Sequence, residues 1–421
     1  MKKWFGLADC NNFYASCERI FNLSVHNLPI VILSNNDGCV ISRSQEAKDL
    51  GIPMGVPAYK IKDLIVQHNI QVFSSNYTLY GDISARVMNC LNDLCPAVEV
   101  YSIDEAFLDL SIIPQNELQD FGINIKHKIA KWTKIPICVG IAPTKSLAKI
   151  ANRYAKKHYK NVGVFVIDSE EILQKTLKET PIEDVWGIGR KHGKFLKDEG
   201  VNTAYDFTQL PENFVQKRFS IVGLRLYKEL KGECCLNLTE IIEKKKIILH
   251  SRSFGKYVQS INDLEEAVAT FANKCAEKLR SQTSCAGIVS VYIRTNPFST
   301  KPQYYNAITM NFEVPTSSTF DIQQKVLWGL KQIYKQGYDY KKAGVSVMGI
   351  VNKNEIQGNL FMPIDDGKSN KISSLMDKLN AKFGKETITF AIQGKNSAWK
   401  GNASKISPKY TTVWGDLLKV D

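Results

Sequence analysis

Residues 4–18 read WFGLADCNNFYASCE, an apolar stretch that predicts a β-strand running directly into a helix. Within it, Phe5, Leu7 and Asp9 alternate onto one face, because successive side chains of a strand point to opposite sides. A carboxylate therefore lies at the end of a strand face that is otherwise apolar. An ionised carboxylate is costly to bury in such a place unless a cation neutralises it.

Two further acidic residues lie in VEVYSIDEAFLDL, residues 98–110, where Asp104 and Glu105 occupy a bend predicted between two strands. With Asp9 they form a set of oxygen ligands of the kind that Mg²⁺ prefers. Two such ions about 4 Å apart can activate an attacking oxygen and stabilise a leaving one. The spacing also allows a different interpretation, in which Asp9 caps the helix beginning near Asn11 and the other two are solvated turn residues.

The chain has 421 residues, and 55 Lys and Arg against 42 Asp and Glu leave a net charge of +13. This charge favours a polyanionic partner, with nucleic acid first and a membrane surface second. Hydrophobic residues make up 44% of the chain, which excludes general disorder. The ten cysteines are scattered without a C-x-x-C motif, which predicts reduced thiols in a cytosol and leaves carboxylates as the metal ligands.

The hydrophobic pattern changes along the chain. An α+β pattern extends to about residue 168, and short helical pieces punctuated by Gly and Pro follow in residues 169–232. Residues 244–351 then predict the order β-α-β-β-α-β, with one sheet and two helices on a single face. The last seventy or so residues are polar, with one predicted helix.

A strongly basic helix is predicted after the strand in IPICVGIAPTKSLAKIANRYAKKHYK, residues 135–160. Lys145, Lys149 and Arg153 are spaced at i, i+4 and i+8, so they share one face of that helix. Positive charge beside the free N–H groups of a helix N-terminus suits a triphosphate. The alternative is a basic face that is simply solvated.

Two glycines flank Ile188 in VWGIGRKHGKF, residues 185–195, between two predicted short helices. Free backbone N–H groups after Gly187 and Gly189, together with the charge of Arg190, would suit a DNA phosphate, as in a helix-hairpin-helix. The alternative is an ordinary corner where two helices pack.

Nine blocks of the sequence, in this order, carry a resemblance to a known family: DCNNFYASCE, SNNDGCVISRSQEAKDLG, FSSNYTLYGDIS, VEVYSIDEAFLDL, GIAPTKSLAKIAN, VWGIG, SRSFGK, QGNLF and SPKYTT. The chain resembles the Y-family (translesion) DNA polymerases over nearly its whole length. This implies an α+β fold, the right-hand polymerase. Its parts would be a ferredoxin-like palm (residues 1–24 and 76–168), a small fingers insertion (25–75), a helical thumb with the helix-hairpin-helix (169–238), the β-α-β-β-α-β little finger (243–351) and a C-terminal tail (352–421).

The resemblance also implies the chemistry, which is template-directed DNA synthesis across lesions with two Mg²⁺ ions. Asp9, the main-chain carbonyl of Cys10, Asp104 and Glu105 would hold the ions. In the same way Tyr14 matches the steric gate, whose ring would collide with a 2′ hydroxyl, although it could instead be a core aromatic residue of its helix.

The incoming dNTP would be held by residues from three blocks. Lys145 and the backbone amides of Asn12 and Phe13 would contact the triphosphate, Ser42 would offer it a hydroxyl, and Cys39 and Ile41 would roof the nascent base pair. Slim roof residues discriminate weakly by shape, so low fidelity is expected. The sequence departs from many relatives at Gln45 and Lys48, where Tyr and Arg are common, and this puts the triphosphate contact of Lys48 in doubt.

Further partners follow from the resemblance. Arg252, in SRSFGK, would contact the backbone of the primer–template DNA. Gln357, Leu360 and Phe361 resemble a sliding-clamp peptide, although Gly358 weakens the match and the segment could be a plain linker. A dimer of cleaved UmuD and a RecA filament would complete the active species, in the bacterial cytoplasm at the nucleoid and with no membrane partner.

Two functions of other classes stay open. One is a scaffold protein whose polymerase site has decayed, and the other is a repair nuclease or glycosylase that uses only the hairpin and the basic surface.

Overall fold

The computed structural model describes residues 3–239, 243–357, 368–394 and 399–418, which form two compact units. Unit 1 contains residues 3–34, 38–239 and 405–418 of this set, and unit 2 contains residues 35–37, 243–357, 368–394 and 399–404. The end of the tail thus groups with the first unit. The predicted boundary at residue 352 would have kept the tail in one piece, and the boundaries of the five parts stay a prediction.

Unit 1 is built on a five-stranded sheet and a three-stranded sheet. Its elements in chain order are β1 (Phe5–Cys10), α1 (Phe13–Phe21), β2 (Ile30–Leu33), β3 (Val40–Arg43), α2 (Gln45–Asp49), α3 (Lys62–Gln67), β4 (Gln71–Ser74), α4 (Tyr77–Leu94), β5 (Val98–Val100), β6 (Glu105–Asp109), α5 (Leu118–Thr133), β7 (Ile137–Ala142), α6 (Lys145–His158), β8 (Val164–Val166), α7 (Glu170–Lys178), α8 (Arg190–Asp198), α9 (Ala204–Thr208) and α10 (Glu212–Leu230).

Strand β1 lies at the centre of the five-stranded sheet, whose order is β5-β6-β1-β7-β8. It pairs antiparallel with both β6 and β7. Its two faces bury different layers, as the alternation of side chains requires. Ala8 and Cys10 join the core that includes α4 and α5, whereas Phe5 and Leu7 join the core of α6 and the helices that follow β8.

Helix α6 lies close against the sheet. A Cβ atom added at Gly140 of β7 would collide with the backbone nitrogen of Asn152 in α6. The Asn152 amide Nδ2 donates to the carbonyl of Leu7 at 3.1 Å and to that of Cys138 at 2.8 Å. Because Asn152 is buried and bonds to both β1 and β7, it fixes the helix over the end of β1.

The three-stranded sheet has the order β3-β2-β4, with β2 antiparallel to β3 and parallel to β4. It has a small core of its own, which includes Val31, Leu33 and Val40. In the sequence it lies between α1 and α4, and so interrupts the elements of the larger sheet.

Unit 2 contains β9 (Ile248–Val258), α11 (Ile261–Ser281), β10 (Ser284–Thr295), β11 (Tyr305–Thr316), α12 (Thr319–Ile333), β12 (Tyr340–Asn352) and α13 (Lys368–Phe383). Its antiparallel sheet has the order β11-β10-β12-β9. Helices α11 and α12 pack on the sheet and on each other, so the order β-α-β-β-α-β is as predicted. Among the described residues, none of the helices is both long enough and apolar enough to cross a bilayer.

Candidate active site

Three carboxylates lie where β1 meets β6. Asp9 is directly opposite Glu105 in the register of the two strands. Asp104 immediately precedes β6, and its carbonyl accepts a hydrogen bond from the N–H of Cys10 at 2.8 Å. The alternative in which Asp9 caps the following helix is wrong, because the N-cap of α1 is Asn12, in the left-handed conformation with φ 50° and without a side-chain cap.

Two lysines of α6 neutralise two of these carboxylates. Lys156 Nζ lies 2.5 Å from Asp9 Oδ1, and Lys149 Nζ lies 2.8 Å from Glu105 Oε2. Burial raises the pKa of Asp9 to about 6, and the charge of Glu105 adds to this, whereas the charge of Lys156 opposes it. The site therefore holds buried negative charge that depends on nearby cations.

The bend before β6 is fixed by Ser102. Its hydroxyl donates to Asp104 Oδ1 at 2.6 Å, and it accepts from the N–H groups of Asp104 and Glu105 at 3.2 and 3.0 Å. Such side-chain-to-backbone bonds stabilise a turn. They hold Asp104 at the rim of the cleft described below.

The donor set is made of hard oxygen ligands. Burial and the negative charges of Asp9 and Asp104 raise the pKa of the Cys10 thiol, so its sulfur stays protonated and only its carbonyl is a fitting ligand. Within the described parts of the chain, no group of three or more His, Cys, Asp and Glu side chains is gathered into a metal-binding cluster, and Asp9 and Glu105 each pair with a lysine. Carboxylates and a carbonyl nevertheless suit Mg²⁺ in kind.

A cleft of about 650 Å³ opens beside Asp9 and Asp104. Its walls are the turn after β1, strand β3, helix α2 and the end of α6. Further residues that line it are Cys10, Asn11, Asn12, Phe13, Tyr14, Ile41, Ser42, Arg43, Gln45, Lys48, Met54, Ile103, Cys138, Lys156 and Lys160. The cleft thus brings four positively charged side chains, Arg43, Lys48, Lys156 and Lys160, together with the carboxylates of Asp9 and Asp104.

The predicted nucleotide residues are distributed as follows. Ile41, Ser42 and Lys48 line the cleft, and Lys48 Nζ donates to Asn12 Oδ1 at 2.5 Å. Cys39 is half-buried, and its backbone forms an isolated antiparallel β-bridge with that of Pro57. It is not among the residues that line the cleft.

Tyr14 lies at the floor of the cleft against a second tyrosine. Its ring stacks on that of Tyr80, with centroids 4.5 Å apart and planes at 15°, and meets Tyr77 edge-on at 6.0 Å. Burial raises the pKa of Tyr14 to about 12, so its hydroxyl stays neutral. Stacked and edge-to-face pairs of this kind hold aromatic rings in place.

The structure does not bring Lys145 to the cleft. Its side chain is 3% exposed, its Nζ pairs with Glu99 Oε2 at 2.5 Å, and it lies 4.9 Å from the ring centroid of Phe107. The physical reason is that the helix begins at Lys145 with its first turn packed into the core, where the cation is neutralised internally.

The spacing of Lys145, Lys149 and Arg153 therefore selected the wrong face of the basic helix. Arg153 pairs with Asp184 and Lys145 with Glu99, and of the three only Lys149 meets one of the candidate metal-binding carboxylates, Glu105. The cleft is reached by Lys156, two helical turns beyond Lys149, and by Lys160. Sequence reasoning also missed Arg43. Arg43 follows Ile41 by two residues in β3, so both side chains lie on one face of the strand, and this spacing is the signal that could have identified it.

The candidate DNA residues are exposed or lie in turns. Gly187 has φ +90°, and Gly189 is the N-cap of α8, so the first N–H groups of α8 begin beside Arg190. Arg252 is exposed on the edge strand β9, opposite Ala343. Of the predicted clamp peptide, Gln357 is described, whereas Leu360 and Phe361 lie outside the described residues.

Comparisons with known proteins agree on one family. The profile of the impB/mucB/samB family matches residues 8–153, that of its C-terminal domain matches residues 245–360, and a domain of unknown function matches residues 370–420. Protein UmuC of Salmonella typhimurium is 41% identical over 99% of this chain and 100% of its own. Protein ImpB of Salmonella typhimurium is 40% identical over 98% of each chain.

Two further similarities extend beyond these relatives. DNA polymerase IV of Pelotomaculum thermopropionicum is 24% identical over 92% of this chain and 94% of its own. A Y-family DNA polymerase chimera of known structure shares the fold, with a TM-score of 0.65 and 21% identity over 83% of this chain and 99% of its own. The α+β polymerase fold predicted from the sequence is thereby confirmed. The chain belongs to the impB/mucB/samB family and is a UmuC-like member of the Y-family DNA polymerases.

Proposed function

We propose that this chain carries out error-prone, template-directed DNA synthesis across damaged templates, by transfer of nucleotides from dNTPs to a primer 3′ hydroxyl. The observation that carries the proposal is the cleft in which Asp9 and Asp104 face four cations. Carboxylates that hold metal ions beside cations that hold phosphates are the parts that nucleotidyl transfer needs. Family membership supplies the reaction type.

Asp9, Asp104, Glu105 and the carbonyl of Cys10 would hold two Mg²⁺ ions. When bound, such ions lower the pKa of an attacking hydroxyl and offset charge on the leaving pyrophosphate. The chain's own residues arrange the site. Ser102 fixes the bend that carries Asp104, and Lys149 holds Glu105 opposite Asp9.

The triphosphate would be bound by the cations that line the cleft. We assign this contact to Lys156 in place of Lys145, with Arg43, Lys48 and Lys160 as further charges. The guanidinium of Arg43 supplies the planar fork that Lys48 lacks. The backbone N–H groups of Asn12 and Phe13, at the start of α1, would add donors.

Base and sugar would be recognised by few side chains. Ile41 would cover the nascent base pair, and such a slim roof gives little shape discrimination, which accounts for the expected low fidelity. Ser42 would offer its hydroxyl to the triphosphate. Tyr14 would lie under the deoxyribose and reject a 2′ hydroxyl.

DNA would be gripped without reading sequence, by the turn around Gly187, Gly189 and Arg190 and by Arg252. The proposed partners remain a dimer of cleaved UmuD, a RecA filament and the sliding clamp, the last through Gln357, Leu360 and Phe361. The proposed location is the bacterial cytoplasm at the nucleoid.

Primer extension on intact and abasic templates tests the proposal. Asp9→Asn, Asp104→Asn and Glu105→Ala should each abolish incorporation and leave DNA binding nearly intact. The matched control is Asp109→Asn, at the far end of β6, which should retain activity. Equal loss of incorporation and binding would mean that the carboxylates are structural.

The alternatives give different outcomes in the same assay. A scaffold with a decayed site would show no extension even with the unmodified chain and its partner subunits. A nuclease or glycosylase would cleave the strand or release a base without added nucleotides.

A further inference from the structure

The end of the tail returns to the unit that carries the cleft. At the last residue of β4, the N–H of Ser74 donates to the carbonyl of Lys405 at 2.9 Å, and the N–H of Lys405 donates to the Ser74 hydroxyl at 3.0 Å. Five residues further on, the Tyr410 ring stacks on that of Phe21 in α1, with centroids 4.8 Å apart. This segment lies within the domain of unknown function.

Ser407 of this segment enters a buried polar network. Its hydroxyl donates to the Glu18 carboxylate at 3.1 Å, and the Tyr80 hydroxyl donates to the same oxygen at 2.6 Å. The Asn76 amide donates to the carbonyls of Ser407 and Pro408 at 2.9 and 3.2 Å. Glu18 is only 1% exposed, so the two hydroxyls that it accepts from cannot be replaced by water without rearrangement.

The network ends at the ring beneath the nucleotide cleft. Tyr80 is fully buried, and its ring is the one on which Tyr14 stacks at 4.5 Å. Its hydroxyl is fixed by Glu18, and the amide oxygen of Asn76 caps α4, the helix that carries Tyr80, by accepting from the N–H of Leu79 at 3.2 Å. A continuous series of hydrogen bonds and one ring stack therefore joins Ser407 to Tyr14.

We propose that residues 405–410 form an intramolecular brace for Tyr14, and that Ser407 is a positioning residue for discrimination between deoxyribose and ribose. The inference rests on the proposed function, since it concerns the sugar of the incoming nucleotide. Without the Ser407 hydroxyl, the buried Glu18 keeps one donor fewer, so its carboxylate and the Tyr80 ring can shift together. Tyr14 then loses the fixed surface that holds its ring against a 2′ hydroxyl.

Ser407→Ala tests the brace in single-nucleotide primer extension with the full chain and its partner subunits, measured with a dNTP and with the matching rNTP. We expect the ratio of kcat/KM for dNTP over rNTP to fall by about three- to tenfold, the effect of a lost buried hydrogen bond. Ser407→Thr keeps the hydroxyl and should restore the ratio. Thr412→Ala, an exposed hydroxyl on the same tail, should leave it unchanged.

A purely structural role would lower both kcat/KM values by the same factor, and an unchanged ratio in Ser407→Ala would overturn the proposal. Tyr80→Phe provides a second path, because it removes the other donor to Glu18 and should lower the ratio without touching the tail. Its effect and that of Ser407→Ala should not add in the double variant.

The controls separate this proposal from the proposed function. If the unmodified chain extends no primer, the polymerase activity is wrong. If it extends primers but Tyr14→Ala leaves the ratio unchanged, the steric gate is wrong. If Tyr14→Ala lowers the ratio and Ser407→Ala does not, the brace alone is wrong, whatever the result for Tyr80→Phe.

Discussion

The triphosphate contact is predicted at Lys145 from the sequence pattern and is assigned to Lys156 in the proposal above. Replacing each lysine separately decides between the two residues. The change is Lys156→Met, which keeps an unbranched side chain and removes the charge that lies 2.5 Å from Asp9 in the cleft. Its matched partner is Lys145→Met in the first turn of the same helix. The sequence pattern predicts the nucleotide effect at Lys145, whereas the structure predicts it at Lys156.

The expected size follows from exposure and charge. A hydrogen bond to a charged group contributes about 1.5–3 kcal/mol, which corresponds to roughly 10- to 150-fold in rate. The Lys156 side chain is 35% exposed, and water weakens its interactions. We therefore expect the lower part of that range, a fall in kcat/KM for dNTP of roughly 10- to 40-fold, mostly through KM.

Lys145→Met should act on stability instead. It leaves the Glu99 side chain, which is 16% exposed, without its cation, and the loss of one partner of a buried ion pair costs about 3–5 kcal/mol. The double variant Lys145→Met, Glu99→Leu should recover most of that stability, because the unpaired charge is gone.

Steady-state primer extension with a dNTP titration, together with thermal unfolding of each variant, distinguishes the two residues. Lys156→Met should raise KM, and because it also leaves Asp9 without its cation, a loss of stability should accompany the change in KM. The double variant should unfold near the unmodified chain with a normal KM. If the double variant raises KM for dNTP as much as Lys156→Met does, the assignment of the cleft is refuted.

Three further expectations concern pH, packing and DNA. Burial lowers the pKa of His250 to about 4, so below pH 6.5 the unfolded chain takes up a proton that the folded chain does not. Unfolding free energy should therefore fall by ~1–2 kcal/mol between pH 6.5 and 4, a value reduced for partial exposure, and His250→Gln should flatten the curve in chemical denaturation. Gly140→Ala forces α6 away from the sheet and should cost about 3 kcal/mol or more, whereas Gly193→Ala, whose nearest contact would be 3.5 Å, should be neutral or mildly stabilising by thermal unfolding. Arg252→Ala should weaken DNA binding for all sequences alike and reduce the salt slope by about 0.9, and a base-dependent loss in fluorescence anisotropy would contradict a backbone contact.

Much of the fold could be predicted from the sequence, because the spacing of apolar side chains differs between strands and helices. The alternation of Phe5, Leu7 and Asp9 placed the carboxylate on the correct strand, and the order of elements in unit 2 matched its hydrophobic pattern. Strands β3 and β4 were not predicted individually, since each has only four residues and their half-exposed side chains give no clear apolar alternation.

The site was harder to predict because it depends on which face of a helix meets the sheet. The face of α6 that meets the carboxylates is set by the contact of Asn152 with the backbone at Gly140, and neither residue signals this in the sequence. The network of Glu18, Tyr80 and Ser407 joins distant parts of the chain. Glu18 and Ser407 are 389 residues apart in the sequence, and no local pattern can reveal a contact between them.

The contact of α6 with the sheet also restricts how relatives of this chain can vary. Asn152 fastens the middle of the helix, with Lys149 before it and Lys156 after it. One residue inserted between Asn152 and Lys156 would rotate everything beyond it by about 100° and carry Lys156 off Asp9, while Lys149 stayed in place. The number of residues along that stretch of helix is therefore fixed by the chemistry at its two ends.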